Sequence, residues 1–400
     1  MMEAATDLWR PLEPRGSLPG SRVGTDPAAA LLAIRQGKRL IVDQYAKPDN
    51  ATGIIQVLTT LLPLAALWAV AALGASRAYA LAALATVLMT LLLLRVFALM
   101  HECGHGSLFR SARLNRALGF VFGVISGMPQ YVWSQHHQFH HSTNGNWAKY
   151  RGPLAILSVD EYDALSPQQQ RAYARARNIV MAPLAGFLYL ILNPRLNWIR
   201  GTLKLIRHVL RMKRAQPSVS LRAHAAQFRT HHWKSAAEYR HMTLNNLVLL
   251  SLWVLMSALI GPLLFFSVYL ISTSLAGAGG IVLFTVQHNF EHAYASGDQD
   301  WDYDTAALHG TSFLVLPGWL NWFTANIGYH HVHHLSSRIP NYRLVACHAA
   351  DEELFADVRR LGLADIAASL KFILWDQQAR RLVSIAEHHA MSHRATESSR

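Results

Sequence analysis

AYALAALATVLMTLLLLRVFALMHECGH, residues 78–105, carries one charge, Arg95, in its first 23 positions and then two histidines four residues apart. Such a run can cross a hydrocarbon core of about 30 Å as a helix. The 24 uncharged residues 53–76, just before it, can do the same. The break between the two is short, so they form a helical hairpin, and His101 emerges on the side where the chain started. Residues 244–260 and 263–286 repeat the pattern around Gly261 and Pro262, whose poor helix propensity suits a tight turn. Between the hairpins, 117–132 and 179–192 are apolar for only 16 and 14 residues, short for a span and typical of interfacial segments. If either crossed alone, histidine clusters before and after it would face opposite sides of the membrane. The pattern therefore predicts an all-α membrane protein with two transmembrane helical hairpins, about four spans, interfacial helices and a histidine-rich cap on one face.

Composition agrees with a chain partly dissolved in lipid, at 52% apolar and 15% charged residues. The formal charge of +13 is compatible with nucleic acid, anionic headgroups or an acidic protein, but the basic residues lie beside apolar spans, which excludes nucleic acid as the partner. Residues 200–240 hold ten Lys or Arg and one acid, Glu238, so by the positive-inside rule the face they share with the histidines is cytoplasmic. That basic segment suits either an acidic redox partner or anionic lipid. Two cysteines, Cys103 and Cys347, give no disulfide framework and no CxxC motif. Residues 1–26 lack an apolar signal-peptide core. The expected division is an N-terminal cytoplasmic segment at 1–50, a membrane domain with the metal site at 51–345, and a C-terminal cytoplasmic helical tail at 346–400, with an amphipathic helical pattern over 351–390.

Among 22 histidines, three clusters stand out. His101 and His105 lie on one helical face at the end of the second span. His137, His140 and His141, and again His330, His333 and His334, follow the pattern HxxHH, in which positions i, i+3 and i+4 converge on one helical side. Imidazole is a borderline ligand suited to iron, zinc or copper. Eight such groups exceed one tetrahedral ion and match two metals of higher coordination.

The chain resembles the integral-membrane fatty acid desaturases, whose signature is three histidine boxes following apolar hairpins. The stretch Phe323-Thr-Ala-Asn-Ile-Gly-Tyr-His-His-Val-His-His-Leu-Ser-Ser-Arg-Ile-Pro-Asn-Tyr342 is similar to the acyl-lipid branch. The resemblance implies an enzyme, an O2-dependent oxidoreductase that holds two Fe ions and introduces a double bond into a fatty acyl lipid or a carrier-bound acyl chain. It also implies a bacterial inner-membrane location, a ferredoxin or b-type cytochrome as electron donor, and no catalytic residue beyond the metal ligands. No haem or iron–sulfur cysteine motif is present to make the chain its own donor. A ninth ligand is implied just after the last span; His288 matches best and His292, four residues on, competes or supports a ligand from beside it.

Glu102 and Asn326 are further candidates to hydrogen-bond near metal-bound imidazoles. Cys103 is expected to be a packed thiol, and Arg95 to snorkel toward headgroups. His136 and His331 are expected to point off the ligand faces, His388, His389 and His393 to face solvent, and the loop with Asp298, Asp300, Trp301, Asp302 and Asp304 to be a polar turn. Two rival readings are a lipid or carotenoid hydroxylase or oxygenase sharing the same boxes, and a zinc protease built on the literal HExxH of residues 101–105. The protease leaves both HxxHH clusters unexplained. A metal transporter would hold its ligands near the bilayer midplane rather than after the span ends.

Overall fold

The computed structural model describes residues 27–152 and 154–398, so the stretch 1–26 lies outside the described residues. After a lead helix α1 (Pro27–Tyr45), the Asp49 carboxylate accepts the Thr52 amide at 2.8 Å and caps α2 (Asn50–Arg77). The chain turns at Ala78 into α3 (Tyr79–His105), whose 27 residues make a rod of roughly 40 Å. That exceeds the hydrocarbon thickness by about two turns, so the last turns carry His101 and His105 out of the lipid. Gly106 ends the helix in the left-handed conformation at φ 72°, its amide donating to the Cys103 carbonyl. Next come α4 (Ala112–Ser126), capped by Ser111, and α5 (Gln130–Thr143), which carries the second histidine cluster.

The second hairpin is α11 (Ala236–Ile260) and α12 (Pro262–His288), turning at Gly261. Before it, β1 (Leu157–Ser158), α6 (Val159–Asp163) and α7 (Pro167–Ala176) lead into a continuous helical run: a tight turn at Ile179–Met181, α8 (Ala182–Phe187), a wide π turn at Leu188–Leu192 and α9 (Asn193–Ala215). A short helix, α10 (Leu221–Gln227), follows it.

Five helical runs are long and apolar enough to cross a membrane, the fifth being Ile179–Ala215. Its contacts hold it to one half of the bilayer. Gly186 lies so close to Ser274, Gly277 and Ala278 of α12 that a Cβ there would sit within 3 Å of their backbones. The run then returns along α11: Arg195 Nε donates to Asn246 Oδ1, Trp198 Nε1 to Thr243 Oγ1, and the Thr202 and Tyr239 hydroxyls share a hydrogen bond. All these partners lie at, or on the histidine side of, the middle of their helices. The run therefore dips in and returns on the same side, leaving four spans.

Helix α3 is the axis of the membrane core. Leu92, Val96, Leu99 and Met100 are buried against α2, α4 and α12, while Ile55 and Leu62 of α2 and Val254 and Leu259 of α11 are exposed on the outer faces, where lipid solvates them. Arg95 does not snorkel. Its guanidinium points inward, with Nε donating to Thr60 Oγ1 at 3.0 Å, a further hydrogen bond to the Trp322 carbonyl, and the Trp322 ring 4.0 Å below it. A cation inside the spans is tolerated only when such partners replace water.

Beyond α12 come α13 (Tyr303–His309), β2 (Phe313–Leu314), α14 (Gly318–Phe323), α15 (His330–Leu335) and α16 (Leu344–Ala350). The stretch 351–390 is not the helix that its pattern predicts. It contains β3 (Arg360–Leu361), the single-turn α17 (Ile366–Ser369), β4 (Leu374–Asp376) and β5 (Arg381–Val383), with helix only in α18 (Ile385–Ser398). β3 pairs parallel with β2, and β4 lies between β1, parallel, and β5, antiparallel. Leu374, Trp375, Leu382 and Val383 are buried with Tyr162, Tyr173 and Val286, so apolar residues spaced for a helix face instead fill two sides of a small sheet. His388 is buried in the same region, 2.7 Å from the Asp163 carboxylate, and does not face solvent; His389 is exposed, and the side chain of His393 lies outside the described residues.

Candidate metal centre

Four helix ends meet on one face of the spans: the C-termini of α3 and α12, most of α5, and the six-residue α15. Gly104 of α3 lets α5 approach, since a Cβ at that position would lie 2.7 Å from Ser134 Oγ. That approach sets His101 and His105 beside His137 and His141. The histidine nitrogens gather in two groups, His101, His105, His137, His141 and His333 in one and His140, His288, His330 and His334 in the other, the ligand atoms within each lying within 4.8 Å of one another. Within each group, Nε2 atoms face Nε2 atoms: His137 to His141 at 3.0 Å and His141 to His333 at 3.1 Å in the first, His288 to His330 at 3.0 Å and His140 to His334 at 3.2 Å in the second.

The donor chemistry fits metal. His101 Nδ1 lies 3.2 Å from Glu102 Oε1, and His288 Nδ1 lies 3.3 Å from the Gly310 carbonyl oxygen. Both oxygens accept, so each imidazole donates from Nδ1 and leaves Nε2 as the ring nitrogen available to a metal ion. Burial, and then the neighbouring imidazoles, hold His137, His140, His141, His330, His333 and His334 well below the ordinary imidazole range, so they are neutral. His105 Nε2 is sealed from solvent without any hydrogen-bond partner. Neutral rings can pair N–H to lone pair, yet the Nδ1 atoms of His140, His141, His330 and His333 also stay buried without a partner; a cation between the rings would engage the converging nitrogens directly. These histidine groups can hold metal ions.

Glu102 is fully committed. Its second oxygen accepts from Ser107 Oγ at 2.9 Å and from the Asn341 amide at 3.0 Å, leaving no free carboxylate to serve a protease as base. Asn341 in turn donates from Nδ2 to Gln56 Oε1, and its carbonyl accepts from Asn326 Nδ2. Asn326 therefore acts on the cluster only at a distance, through Asn341. On the other group, the Tyr303 hydroxyl donates to the His334 carbonyl at 2.7 Å. Trp133 stacks on His137 with ring centroids 4.5 Å apart, and Phe284 and Tyr150 each lie 4.9 Å from the His140 ring.

All nine expected imidazoles come together, while His292 stays outside, about two-fifths exposed and beside Glu291. Helix α12 stops at His288, and Asn289 leaves the helical conformation, so a histidine four residues on is no longer on the same face. His136 is exposed, and His331 is buried off the cluster against His348 at 2.9 Å. Cys103 is a buried thiol in the membrane core. The acidic loop is an anchor rather than a plain turn: Asp298 accepts from Asn146 and Lys149, Trp301 donates to the Asn144 carbonyl, and Asp302 and Asp304 pair with Arg35 and Lys38 of α1. Sequence reasoning assigned no role to Trp133, Tyr303, Gly310 or Asn341; only the last carried a signal, its place eight residues after His333 in the third box.

A cavity of about 620 Å³ runs from His101, His137, His140 and His330 between α3, α8 and α12 to Thr273, Ala276 and Gly277. Its inner walls are aliphatic and aromatic, and a Cβ at Gly280 would meet no protein atom within 4 Å.

Residues 75–362 match the model of the fatty acid desaturase family. The chain belongs to that family. It is 34% identical to a fatty acid desaturase of Bacillus subtilis (strain 168) over 344 residues, 86% of this chain and 88% of the relative. It is 24% identical to an endoplasmic reticulum omega-3 fatty acid desaturase of Vigna radiata var. radiata over 62% of this chain and 59% of the relative. A chloroplastic sn-2 acyl-lipid omega-3 desaturase (ferredoxin) of Helianthus annuus is likewise 24% identical, over 62% of this chain and 51% of the relative. As a fatty acyl desaturase the protein is an oxidoreductase of lipid metabolism, and its cavity and histidine cluster are the parts from which that activity must be built.

Proposed function

We propose that the protein is an O2-dependent di-iron acyl-lipid desaturase. His101, His105, His137, His141 and His333 would hold one iron, and His140, His288, His330 and His334 the other. Bound iron supplies the oxygen-activating chemistry that an unactivated methylene requires, since such a C–H bond has no acidity for a side-chain base to use. The stoichiometry closes when two hydrogens leave adjacent methylenes and two electrons and two protons from a carrier help reduce O2 to two waters. The observation that carries the reading is the apolar cavity ending at His101, His137, His140 and His330. It would hold an acyl chain away from water and present one segment of that chain to the cluster.

An acyl lipid as substrate and a ferredoxin as donor agree with the printed name of the Helianthus annuus relative, and a b-type cytochrome is the other donor that the family resemblance implies. The histidine face would be cytoplasmic, in a bacterial inner membrane, because the ten Lys or Arg of 200–240 share that side and the opposite loops at Arg77 and Gly261 are short. Residues 51–345 would form the desaturase domain, flanked by cytoplasmic segments 1–50 and 346–400.

The test is expression in a host of known lipid composition, with mass-spectrometric location of new functional groups on intact phospholipids. New double bonds at one fixed position are expected. New hydroxyl groups in their place would assign the oxygenase reading, and unaltered lipids in cells that supply a competent ferredoxin would count against both.

A further inference from the structure

Helix α9 presents three separate faces. At 100° per residue, Ile199, Leu203, Ile206 and Leu210 fall within about 60° of one another. All four are about half exposed. Beside this stripe, Arg200, Lys204, Arg207, Arg211 and Arg214 occupy the next sector, about 80° wide. The third face is packed: Gly201 lies against Trp233, and His208 against Phe228. Among the described residues, no carboxylate lies within ion-pair distance of the five cations. Arg207, Arg211 and Arg214 line a shallow hollow of about 500 Å³ with Leu210 and Ala215.

We propose that this guanidinium row binds the phosphates of anionic phospholipids in the leaflet on the histidine side. Charge complementarity and depth both favour that occupant. Helix α9 rises out of the bilayer along α11, through Asn246, Thr243 and then Tyr239, which brings its middle to the boundary of the hydrocarbon. An apolar stripe with cations directly beside it, on a segment that climbs from the hydrocarbon into the headgroups, sets those cations among lipid phosphates. An acidic protein docked on the same cations would leave Ile199, Leu203, Ile206 and Leu210 uncovered by anything. The cationic row is thus a lipid surface.

The inference holds for any reaction at the histidine centre, and its test does not read activity. The full-length protein, purified in mild detergent, is mixed with equal amounts of dioleoyl phosphatidylglycerol and dioleoyl phosphatidylcholine, and retained lipid is counted by native mass spectrometry. The wild type is expected to enrich phosphatidylglycerol. Arg207→Gln/Arg211→Gln/Arg214→Gln is expected to cut that enrichment at least tenfold, at roughly fivefold per neutralised cation near an anionic surface before overlap. The corresponding triple Lys variant keeps it. In 0.5 M NaCl the wild type itself loses most of its preference, a measurement that does not depend on any variant folding. Unchanged enrichment in the Gln variant, or enrichment insensitive to salt, overturns the proposal. So does the loss of binding to an acidic ferredoxin while lipid enrichment stays intact, which would assign the row to a protein.

Discussion

In the group of five histidines, the imidazole at the end of α3 is fixed by a carboxylate, Glu102; in the group of four, the imidazole at the end of α12 is fixed by a carbonyl, that of Gly310. The first support is tied through Asn341 to Gln56 and so to the membrane helix α2. The second belongs to the water-facing part, where Tyr303 of α13 also holds the His334 carbonyl and α1 grips α13 through Lys38 and Asp304. A carboxylate strengthens an imidazole as a donor more than a neutral carbonyl does. The two sites, alike in ligand type, are therefore expected to differ in how firmly they hold metal, the five-histidine group being the tighter.

The strongest way to break this comparison is to remove a ligand from each side. His137→Ala and His140→Ala should each lower product by more than about a hundredfold, beyond the cost of losing a mere supporting residue. Iron measured on purified protein should fall toward one per chain in each, with membrane insertion unchanged. Loss of both irons in both variants would show one indivisible cluster rather than two groups.

Filling the cavity separates substrate from metal. Gly280→Leu starts a side chain from a cavity-lining position whose Cβ would have no protein atom within 4 Å, so folding and iron content should match the wild type. Product should fall on the order of a hundredfold because the acyl chain is displaced from the cluster. Full activity would mean that the chain enters by another route.

Supports come next. Glu102→Gln keeps shape and removes charge, and is expected to weaken iron retention against a chelator by about 10- to 100-fold. Tyr303→Phe removes one hydrogen bond to a backbone carbonyl and is expected to weaken it only about fivefold, the value of roughly 1 kcal/mol. Equal effects from the two would erase the asymmetry between the groups.

The clustering of the histidines was largely legible because i, i+3, i+4 spacing is a local property of a helix, and the hairpins were legible because hydrophobic length is one too. What is not local was not legible. His288 and His292 look equivalent four residues apart, and only the end of α12 at Asn289 separates them. Arg95 reads as a snorkelling cation because its partners Thr60 and Trp322 are 35 and 227 residues away. The run Leu374–Asp376 reads as helix until the distant Leu157 and Ser158 supply a strand to pair with it. The run Ile179–Ala215 shows the reverse: 179–192 alone reads as short for a span, the full helical run is long and apolar enough to cross, and only its contacts with α12 and α11 show it turning back.

Helix α15 contributes His333 to one group and His330 and His334 to the other, and Asn341, just beyond it, closes the contact with Glu102 across 239 residues. Neither group is complete until that late segment has left the ribosome. Both hairpins are by then already synthesised, so neither histidine group can close on a metal ion before the spans have been made, and a chain cut short before α15 is a membrane protein with no enzyme in it.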